Sequence, residues 1–383
     1  MHKKNKSISL VHIITGLHVG GAELMLKQLV LAAKVKDDIG VISLTGMGLI
    51  GEELQQAGIS VYTFNFHQPM RLLSQFVLLW KLLKKVQPEV VQTWLYHADF
   101  FGGLAARLAG CKHVVWGIRN TNVPHNNRQT YWLMRLCARL STFIPQKIVC
   151  VAEAARQQHV RYGYQENKMA VIGNGFDFTR FDPTQVSTAD ARRTFKITQD
   201  EFIIGCIGRY HLDKGQDVLV AAAATLKPLL AAKNIRFLLV GRSCDTNNEN
   251  LMRLLNQHEL TAYFILAGER YDVPVCLAAM DMYCMPSRTE GFPNGLGEAM
   301  AMGLPCLATQ AGDTVQLTAD SAILVPPNDA QALAHGLEDI LNMPVAAQKQ
   351  LGAHAAQRVR ALFSLERTCT QFNTLYQNLR EAS

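Results

Sequence analysis

The sequence predicts an α/β protein built from two parallel-sheet domains that follow one another along the chain. Short β-rich segments alternate with helical patterns, and the alternation begins again after a polar stretch containing Asp, Thr and Pro. A β–α–β order places parallel strands in one sheet with helices on both faces. The length of 383 residues also favours two domains, since one domain usually takes about 100–200 residues.

Each element of this architecture corresponds to a short segment of the chain. The predicted strands of the first domain are ISLVHIIT, DIGVISLT, SVYTFNF, PEVVQTW and HVVWGI, and those of the second are FIIGCIG, IRFLLVG, YFILAG, DMYCMPS, LPCLAT and AILVPP. Helical segments such as AELMLKQLVLAAKV and RLLSQFVLLWKLLKKV separate them. We expect domains at 1–185 and 186–360. A closing helix at 361–383 has no strand left to pair and should pack back on the first domain.

Composition narrows the class of protein. Apolar residues make up 49% of the chain and charged residues 18%, which suits a soluble protein with a full core. The nine cysteines include no C-x-x-C pair, so we expect free thiols and no structural metal. No run of about 18 apolar residues is present to span a membrane. The short apolar run after the basic N-terminus is typical of a first strand rather than a signal peptide.

The net charge of +7 is spread unevenly along the chain. Residues 1–185 contain 21 Lys and Arg against 11 Asp and Glu, whereas residues 186–383 contain 17 against 20. A basic first half indicates an anionic partner, which could be a nucleic acid, a membrane surface or a phosphorylated substrate. The alternative is a soluble domain that is simply rich in lysine.

Ligands of open parallel sheets bind beyond the carboxyl ends of the strands. The first strand ends in TGLHVGGAELML, where Gly20 and Gly21 precede a helix and allow the backbone N–H groups to approach a ligand. The pattern departs from G-x-G-x-x-G, and no acidic residue follows at the spacing expected for a ribose contact. Dinucleotide binding is therefore disfavoured.

The first strand of the second domain ends in GCIGRYHLDKGQDVLVAA, which places Arg209 and Lys214 in one loop before a helix. A guanidinium can bind phosphate oxygens through two hydrogen bonds, and an ammonium adds a point charge. The two cations together could neutralise a diphosphate. The alternative is a pair of solvated surface cations.

Two glutamates occur in the segment EGFPNGLGE, which joins the strand DMYCMPS to a short helix beginning near Gly295. Glu290 lies before the helix and Glu298 lies in its first turns, so the two carboxylates can contact different parts of one ligand. Carboxylates accept hydrogen bonds from sugar hydroxyls, and a nucleotide sugar offers such hydroxyls at both ends. The alternative for Glu298 is electrostatic stabilisation of the helix N-terminus.

The motifs VGGAE, GRYHLDKG and EGFPNGLGE, in this order, resemble those of the retaining glycosyltransferases of family 4. The likeness extends over nearly the whole chain, including PEVVQTWLYHADFFGGLAARLAG and the closing helix. It implies the GT-B fold, in which two Rossmann-like domains face each other across a cleft and the C-terminal helix returns to the N-terminal domain.

The resemblance also implies roles for individual residues. Glu290 and His97 would act at the reacting sugar, although a packed or capping histidine is the alternative for His97. Arg119 could contact an anionic acceptor, with a structural salt bridge as its alternative, and Trp94 stands where many relatives have another histidine. The implied donor-binding residues are Gly20, Gly21, Arg209, Lys214, Phe292, Pro293, Asn294, Gly295, Leu296 and Glu298, with Phe292 to Gly295 acting through their backbone.

The chain contains no D-x-D sequence, so we expect no metal ion and no cofactor beyond a UDP-sugar co-substrate. Arg209, Lys214 and the helix N-terminus would neutralise the diphosphate instead. Members of the family retain the anomeric configuration by attack on the face that the leaving group departs from, and the departing phosphate would then be the base. A nucleotide-sugar epimerase and a non-catalytic nucleotide-sugar-binding protein are the alternatives.

The resemblance implies transfer of a hexose or N-acetylhexosamine to a glycan or a polyprenyl-diphosphate-linked sugar acceptor, in synthesis of bacterial O-antigen, capsule or exopolysaccharide. Arg71, Lys81, Lys84 and Lys85 surround an apolar helix, which indicates a cytoplasmic protein bound peripherally to the anionic inner face of the membrane. The alternative is that this helix packs on the sheet and its lysines are solvated. We expect no nucleic-acid partner.

Overall fold

The computed structural model describes residues 8–33, 36–121 and 127–382 and divides the chain into two compact units. The first unit contains the residues up to Gly175 together with those from Leu365 onwards, and the second unit is Phe176–Ser364. The chain therefore leaves the first unit once and returns to it once. Each unit is an α/β structure around one parallel sheet.

The sheet of the first unit has seven parallel strands in the order β3-β2-β1-β4-β5-β6-β7. Its strands are β1 Leu10–Ile14, β2 Ile39–Ser43, β3 Ser60–Thr63, β4 Val90–Trp94, β5 His113–Ile118, β6 Lys147–Cys150 and β7 Met169–Val171. The five strands predicted for this domain are confirmed. The predictions omitted β6 and β7, which have four and three residues.

The sheet of the second unit has six parallel strands in the order β10-β9-β8-β11-β12-β13. Its strands are β8 Phe202–Ile207, β9 Ile235–Val240, β10 Phe264–Leu266, β11 Met282–Met285, β12 Cys306–Thr309 and β13 Ile323–Val325. All six correspond to predicted strands. The prediction of two Rossmann-like parallel sheets is thus confirmed.

Helices connect the strands in both units. The first unit contains α1 Gly21–Leu31, α2 Gly48–Gln56, α3 Leu72–Val86, α4 Gly103–Leu108, α5 Arg128–Leu140 and α6 Glu153–Arg161. The second contains α7 Thr188–Thr194, α8 Gln216–Thr225, α9 Lys227–Ala232, α10 Glu249–Gln257, α11 Val273–Ala278, α12 Asn294–Ala301, α13 Thr314–Thr318, α14 Ala330–Asn342 and α15 Val345–Leu362. The last helix, α16 Leu365–Glu381, belongs to the first unit.

The boundary between the units lies at Gly175, earlier than the position after residue 185 that composition suggested. The cause is the packing of Phe176. Its backbone N–H donates to the carbonyl of Phe363 over 2.9 Å, and its ring lies 5.8 Å from the ring of Phe292. The polar stretch that follows therefore belongs to the second unit, because packing rather than polarity decides where a unit begins.

The closing helical segment is two helices rather than one. Ser364 forms a β-bridge with Phe176, which interrupts the helix between α15 and α16. α15 packs against α12 of the second unit, and only α16, from Leu365 rather than residue 361, packs on the first unit. α16 buries Phe372 and Tyr376 in the core of the first unit, where the Phe372 ring lies 5.9 Å from that of Trp94.

Two further expectations from the sequence were free cysteine thiols and no membrane-spanning segment. All nine cysteines are buried and free. Among the residues that the structure describes, none of the helices combines the length and the apolar character needed to cross a bilayer.

Candidate active site

Each sheet has one switch point, where the strand order reverses direction between two neighbouring strands: β1 and β4 in the first unit, β8 and β11 in the second. Loops leaving such neighbours diverge to opposite faces and open a crevice at the carboxyl edge of the sheet. All predicted site residues except Arg119, which follows β5, come after these four strands, with Gly20 and Gly21 after β1, His97 after β4, Arg209 and Lys214 after β8, and Glu290 and Glu298 after β11. The site residues therefore form two sets, one at each switch point.

An ion pair joins the two loops at the switch point of the second unit. The Lys214 Nζ atom lies 2.7 Å from the Glu290 Oε1 atom, and the Ser287 hydroxyl donates to the same oxygen over 2.6 Å. The Glu290 side chain is only 9% exposed, whereas that of Lys214 is 31% exposed. The structure thus brings the predicted diphosphate cation into contact with the predicted sugar-binding carboxylate, with the ammonium still open to solvent on one side.

The two loops meet closely because residue 215 has no side chain. Gly215 has a φ of +67°, and a Cβ atom built there would overlap the carbonyl oxygen of Pro286. The left-handed conformation and the close approach both require glycine. The Arg288 N–H then donates to the carbonyl of Asp213 over 2.8 Å, which fixes the loop after β11 against the loop after β8.

The Arg288 side chain holds the same loops together, and sequence reasoning did not identify it. Its guanidinium donates to both carboxylate oxygens of Asp217, over 2.7 and 2.6 Å, and to the carbonyl of Leu212 over 2.7 Å. These bonds lower the pKa of the Asp217 carboxyl. The sequence did not indicate that Arg288 pairs with Asp217, because Asp217 lies 71 residues earlier in the chain.

Arg209 differs from Lys214 in its surroundings. Its side chain is exposed, and no hydrogen bond or ion pair to that side chain is present among the described residues. Its backbone carbonyl accepts a hydrogen bond from the Gln216 side chain over 2.9 Å. Gln216 is 1% exposed, and its side-chain amide fixes the loop after β8 from the buried side. The sequence did not indicate this role. The guanidinium of Arg209 is thus available to an anion.

The second glutamate of the motif, Glu298, lies in α12 and is partly buried. Burial raises the pKa of its carboxyl to about 7, while the cation of Arg180 acts in the opposite direction. α12 begins at Asn294, one residue before the predicted start. Its N-cap residue, Pro293, makes no side-chain capping hydrogen bond among the described groups. The helix N-terminus can therefore accept an anion.

Three of the predicted donor-binding side chains face the core. Phe292, Pro293 and Leu296 are buried, and the Phe292 ring packs between the rings of Phe176 and Phe363 at 5.8 and 5.9 Å. Their backbone remains the part that can serve a ligand, as was expected for Phe292 and Pro293. The side chain of Leu296 is fully buried, so a donor contact of this residue would also use its backbone.

In the first unit, α1 begins at Gly21, and Gly20 occupies the N-terminal position in an extended conformation. The Glu23 carboxylate folds back over Gly20, and a Cβ atom at residue 20 would overlap it. Burial raises the pKa of Glu23. Sequence reasoning assigned no role to Glu23, although it stands in the VGGAE motif, so the structure adds a carboxyl group beside the predicted phosphate-binding glycines.

His97 lies in the segment after β4, which a set of local contacts fixes. Leu95 has a φ of +74°, an uncommon value for a residue with a side chain. Asp99 accepts hydrogen bonds from the Thr93 hydroxyl over 2.5 Å and from the Gly117 N–H over 3.2 Å. Burial lowers the pKa of His97, so its imidazole is neutral at pH 7. It also raises the pKa of Asp99 to about 8.

Arg119 is 9% exposed at the end of β5. Its Nη2 atom donates to the Asn174 side-chain carbonyl, and its guanidinium lies 5.1 Å from the centre of the Trp94 ring. Burial lowers its pKa to about 10. No carboxylate forms an ion pair with it in the described part of the chain, so the salt bridge that was its alternative does not form. Trp94 itself is a core residue whose Nε1 atom donates to His12 over 3.2 Å.

Two family models match the chain. The model described as Glycosyltransferase Family 4 matches residues 19–180, and the model described as Glycosyl transferases group 1 matches residues 201–343. The first match includes the loops after β1, β4 and β5. The second includes the loops after β8 and β11, with both glutamates of the motif.

Proteins of named activity are similar to the chain. The UDP-Gal:alpha-D-GlcNAc-diphosphoundecaprenol alpha-1,3-galactosyltransferase of Escherichia coli is 25% identical over 274 residues, which is 69% of this chain and 69% of that protein. The capsular polysaccharide biosynthesis glycosyltransferase CapM of Staphylococcus aureus is 23% identical over 393 aligned positions, which cover 99% of each chain.

Solved structures share the fold over nearly the full length. The Anabaena protein HepE, in a crystal structure with UDP-glucose, matches with a TM-score of 0.84 and 21% identity over 96% of this chain and 99% of that one. The sucrose-phosphate synthase of Thermosynechococcus elongatus matches with a TM-score of 0.78 and 20% identity over 98% and 100%. With both family models matched and this fold throughout, the chain belongs to family 4 of the glycosyltransferases and is a transferase with the GT-B fold.

Proposed function

We propose that this glycosyltransferase moves a hexose or N-acetylhexosamine from a UDP-sugar to a glycan acceptor linked to a polyprenyl diphosphate. The product would be a bacterial surface glycan such as O-antigen, capsule or exopolysaccharide. The observation that carries the proposal is the ion pair of Lys214 and Glu290 at the switch point of the second sheet. The printed name of the E. coli relative, with its UDP-Gal donor and diphosphoundecaprenol acceptor, supports it.

Lys214 is the central cation of this proposal. Its exposed side would meet the donor diphosphate, and the exposed Arg209 guanidinium and the N-terminus of α12 would add positive potential there. Negative charge grows on the diphosphate as the bond between the sugar and the phosphate breaks. Fixed cations that meet this growing charge stabilise the transition state. They would do so without a divalent metal ion or any other cofactor.

The two glutamates divide the hydroxyl groups of the donor between them. Glu290 touches Lys214, so a hydroxyl of the transferred sugar would lie near the diphosphate when it donates to Glu290. Glu298 would accept hydrogen bonds from the ribose hydroxyls. Such bonds favour the ionised carboxyl and would lower the raised pKa of Glu298 when the donor binds.

The reaction would retain the anomeric configuration, with the departing phosphate taking the proton of the acceptor hydroxyl. In the first unit His97 would contact the transferred sugar. Its imidazole is neutral at pH 7, so it can donate one hydrogen bond without adding a second full charge. Gly20 and Gly21 would serve the donor phosphates, and Arg119 an anionic acceptor.

An acceptor on a lipid carrier would place the protein at the anionic inner face of the cytoplasmic membrane. α3 supports this proposal, because it buries Leu79 and Leu83 on one side and leaves Leu73 and Leu78 77% and 50% exposed on the other. The exposed lysines expected to meet anionic lipid are Lys81, Lys84 and Lys85.

Incubation with labelled UDP-galactose, UDP-glucose or UDP-N-acetylglucosamine tests the proposal. We expect transfer to a polyprenyl-diphosphate-linked N-acetylglucosamine, with the donor anomeric configuration retained in the NMR spectrum of the product. Lys214→Ala should abolish transfer, and Lys349→Ala, at an exposed lysine outside the site, should not. Epimerised sugar nucleotide would indicate an epimerase, binding without turnover a binding protein, and an inverted product would overturn retention.

A further inference from the structure

The positive charge of the first unit is concentrated in one segment. Residues 67–147 contain eleven Lys and Arg but only two acidic residues, Glu89 and the buried Asp99. The rest of residues 1–185 is nearly balanced, with ten basic and nine acidic residues. The charge therefore belongs to the stretch from α3 to β6 and is not confined to α3.

The helices of this stretch lie on one side of the sheet. α3 connects β3 to β4, the helical segment containing α4 connects β4 to β5, and α5 connects β5 to β6, so each crossover moves across the sheet in the same direction. Right-handed crossovers in one direction place their helices on the same face. α4 is short and largely buried, so α3 and α5 supply most of the outer surface of this layer.

α5 has an outward face that combines arginines with large apolar side chains. Its inner face buries Met134, Cys137 and Ala138. On the outer face Trp132 is 70% exposed and Leu136 39% exposed, and Phe143, just past the helix, is 77% exposed. The arginines of the same stripe are Arg128, Arg135 and Arg139, all exposed. With a rise of about 1.5 Å per residue, the stripe is roughly 22 Å long.

We propose that this stripe, from Arg128 to Phe143, docks on a membrane surface and binds anionic phospholipid headgroups. The proposal rests on the proposed lipid-linked acceptor and adds the surface that meets the lipid. Helices lying in a membrane interface carry Lys or Arg beside Trp, Phe and Leu, because the rings enter the headgroup region while the cations meet phosphate. α5 begins at the carboxyl edge of the sheet, the edge that also carries His97, so docking brings this edge to the lipid.

Other occupants fit this surface less well. In a symmetric contact with a second copy, the three arginines would face three arginines with no acidic residue in the stripe to offset them. Single-stranded nucleic acid binds along charged grooves, and a helix in the major groove of DNA reads base edges mainly with polar side chains, whereas this stripe is convex and exposes Trp132, Leu136 and Phe143. A lipid surface offers phosphates to the arginines and an apolar layer to Leu136, which is 39% exposed between Arg135 and Arg139.

Tryptophan fluorescence tests which helix meets the lipid. Trp94 and Trp116 are fully buried, Trp80 on α3 is partly buried, and Trp132 is 70% exposed. Vesicles of phosphatidylglycerol and phosphatidylcholine should shift the emission of the whole protein to the blue, and brominated lipid should quench it. Trp132→Phe should remove both effects and Trp80→Phe should keep them. The opposite pattern would assign docking to α3 and overturn the proposal.

Flotation with the same vesicles tests the charges. Each basic residue near an anionic surface contributes about fivefold to partitioning, so replacing Arg128, Arg135 and Arg139 together by Gln should weaken binding roughly 100-fold. The control replaces three exposed cations of the second unit, Lys196, Arg253 and Lys349, by Gln and should change binding little. Equal loss in both variants, or equal binding to pure phosphatidylcholine, would contradict specific docking of α5.

Assays with a water-soluble acceptor analogue separate this inference from the proposed function. The triple arginine variant should turn over the soluble analogue like the unmodified protein and should lose activity only on acceptor held in vesicles. Failure of the unmodified protein to use any glycan acceptor would count against the proposed function. Normal transfer with no vesicle binding would overturn the docking face alone, and oligonucleotide binding or Trp132 burial in a dimer would then identify the partner.

Discussion

The two units have the same strand order around their switch points, but among the described residues the charged side chains near the strand ends are paired in one unit and buried without ionic partners in the other. In the second unit, side chains at the strand ends form ion pairs across loops, as Lys214 does with Glu290 and Arg288 with Asp217. In the first unit, Arg119 is buried with no ion pair among the described residues. The same architecture therefore carries a charged site in one unit and mainly neutral groups in the other.

This difference indicates which part of a substrate each unit is suited to bind. A paired cation stays ionised and can exchange its carboxylate for a phosphate, so the second unit suits a diphosphate. Burial shifts the groups of the first unit towards their neutral forms, since it lowers the pKa of His97 and raises those of Glu23 and Asp99. Neutral groups of this kind suit the hydroxyls of a sugar. Glu298 is an exception in the second unit, because burial raises the pKa of its carboxyl, and it can be tested separately.

The largest effects are expected at the ion pair. Lys214→Ala should weaken UDP binding by about 1.5–3 kcal/mol of charge-assisted hydrogen bonding, and it should reduce kcat/KM by at least roughly 100-fold. Glu290→Ala should reduce turnover similarly and spare UDP affinity. Groups that act as one unit are non-additive, so the double variant should be little worse than the worse single variant. Calorimetry with UDP and steady-state kinetics measure both quantities.

Equal loss of UDP affinity in the Lys214 and Glu290 variants would contradict the division of labour between diphosphate and sugar. Purely additive losses in the double variant would show that the contact seen between the two side chains does not operate during catalysis. Lys349→Ala serves as the matched lysine control outside the site.

A second effect concerns the loop contact that allows the ion pair to form. Gly215→Ala meets both a left-handed φ and the carbonyl of Pro286, so it should lower the free energy of unfolding by about 2–4 kcal/mol. Gly303→Ala is the control, because Gly303 has a φ of +76° with open space around its Cβ position. It should cost only about 1 kcal/mol. Urea denaturation of both variants measures the difference, and equal costs would show that Pro286 moves away.

Two arginines offer a direct test of the comparison between units. Arg288→Met should lower the free energy of unfolding by about 1.5–2 kcal/mol, because the four hydrogen bonds of its guanidinium are lost. Arg119→Met should change it by less than about 1 kcal/mol, since removing a buried charge without an ionic partner offsets the loss of its bond to Asn174. The more exposed arginine should thus matter more. A larger loss for Arg119→Met than for Arg288→Met would contradict this comparison between the two units.

A pH dependence of about tenfold is expected at Glu298. The pKa of its carboxyl is raised to about 7 in the free protein, and binding to ribose hydroxyls favours the ionised form. UDP should therefore bind with its full affinity at about pH 8, where this carboxyl is ionised, and more weakly as the pH drops through 7. We expect Kd to be about tenfold higher at pH 6 than at pH 8. Calorimetry across this range checks the slope. Glu298→Gln should remove it and leave only the slope from titration of UDP itself.

The smallest expected effect is that of a chelator. If Lys214, Arg209 and the N-terminus of α12 neutralise the diphosphate, EDTA should leave the rate of sugar transfer unchanged within error. Dialysis against EDTA followed by an activity assay measures this. Loss of activity that Mg²⁺ or Mn²⁺ restores would contradict the proposal.

Much of the second-unit site could be predicted from the sequence because its residues lie in two short loops that each follow an apolar strand. The position of Lys214 and Glu290 at strand ends was readable, but their contact was not, since they lie 76 residues apart. Arg288 lies 71 residues from its partner Asp217, so the sequence did not indicate its role either. Contacts of this kind depend on how neighbouring strands align, which local patterns do not specify.

Less of the first unit could be predicted, because long-range burial determines it. The positive φ of Leu95 and the burial of Arg119 depend on packing by Trp94 and α16. The strands β6 and β7 were not predicted from the sequence, although equally short strands of the second unit were. The charge distribution predicts an anionic partner for the first half of the chain and favours α3, whereas the exposure of Trp132 in the structure favours α5.

The packing of α16 has a consequence for biosynthesis. Phe372 and Tyr376 belong to the core of the first unit, yet the ribosome makes them only after the entire second unit. The first unit therefore waits with part of one face of its sheet uncovered, beside α1 and α2, while the second unit can already fold, which reverses the usual N-terminal-first order. During that interval the nascent chain exposes apolar surface around Trp94, a natural substrate for chaperones that hold chains until release.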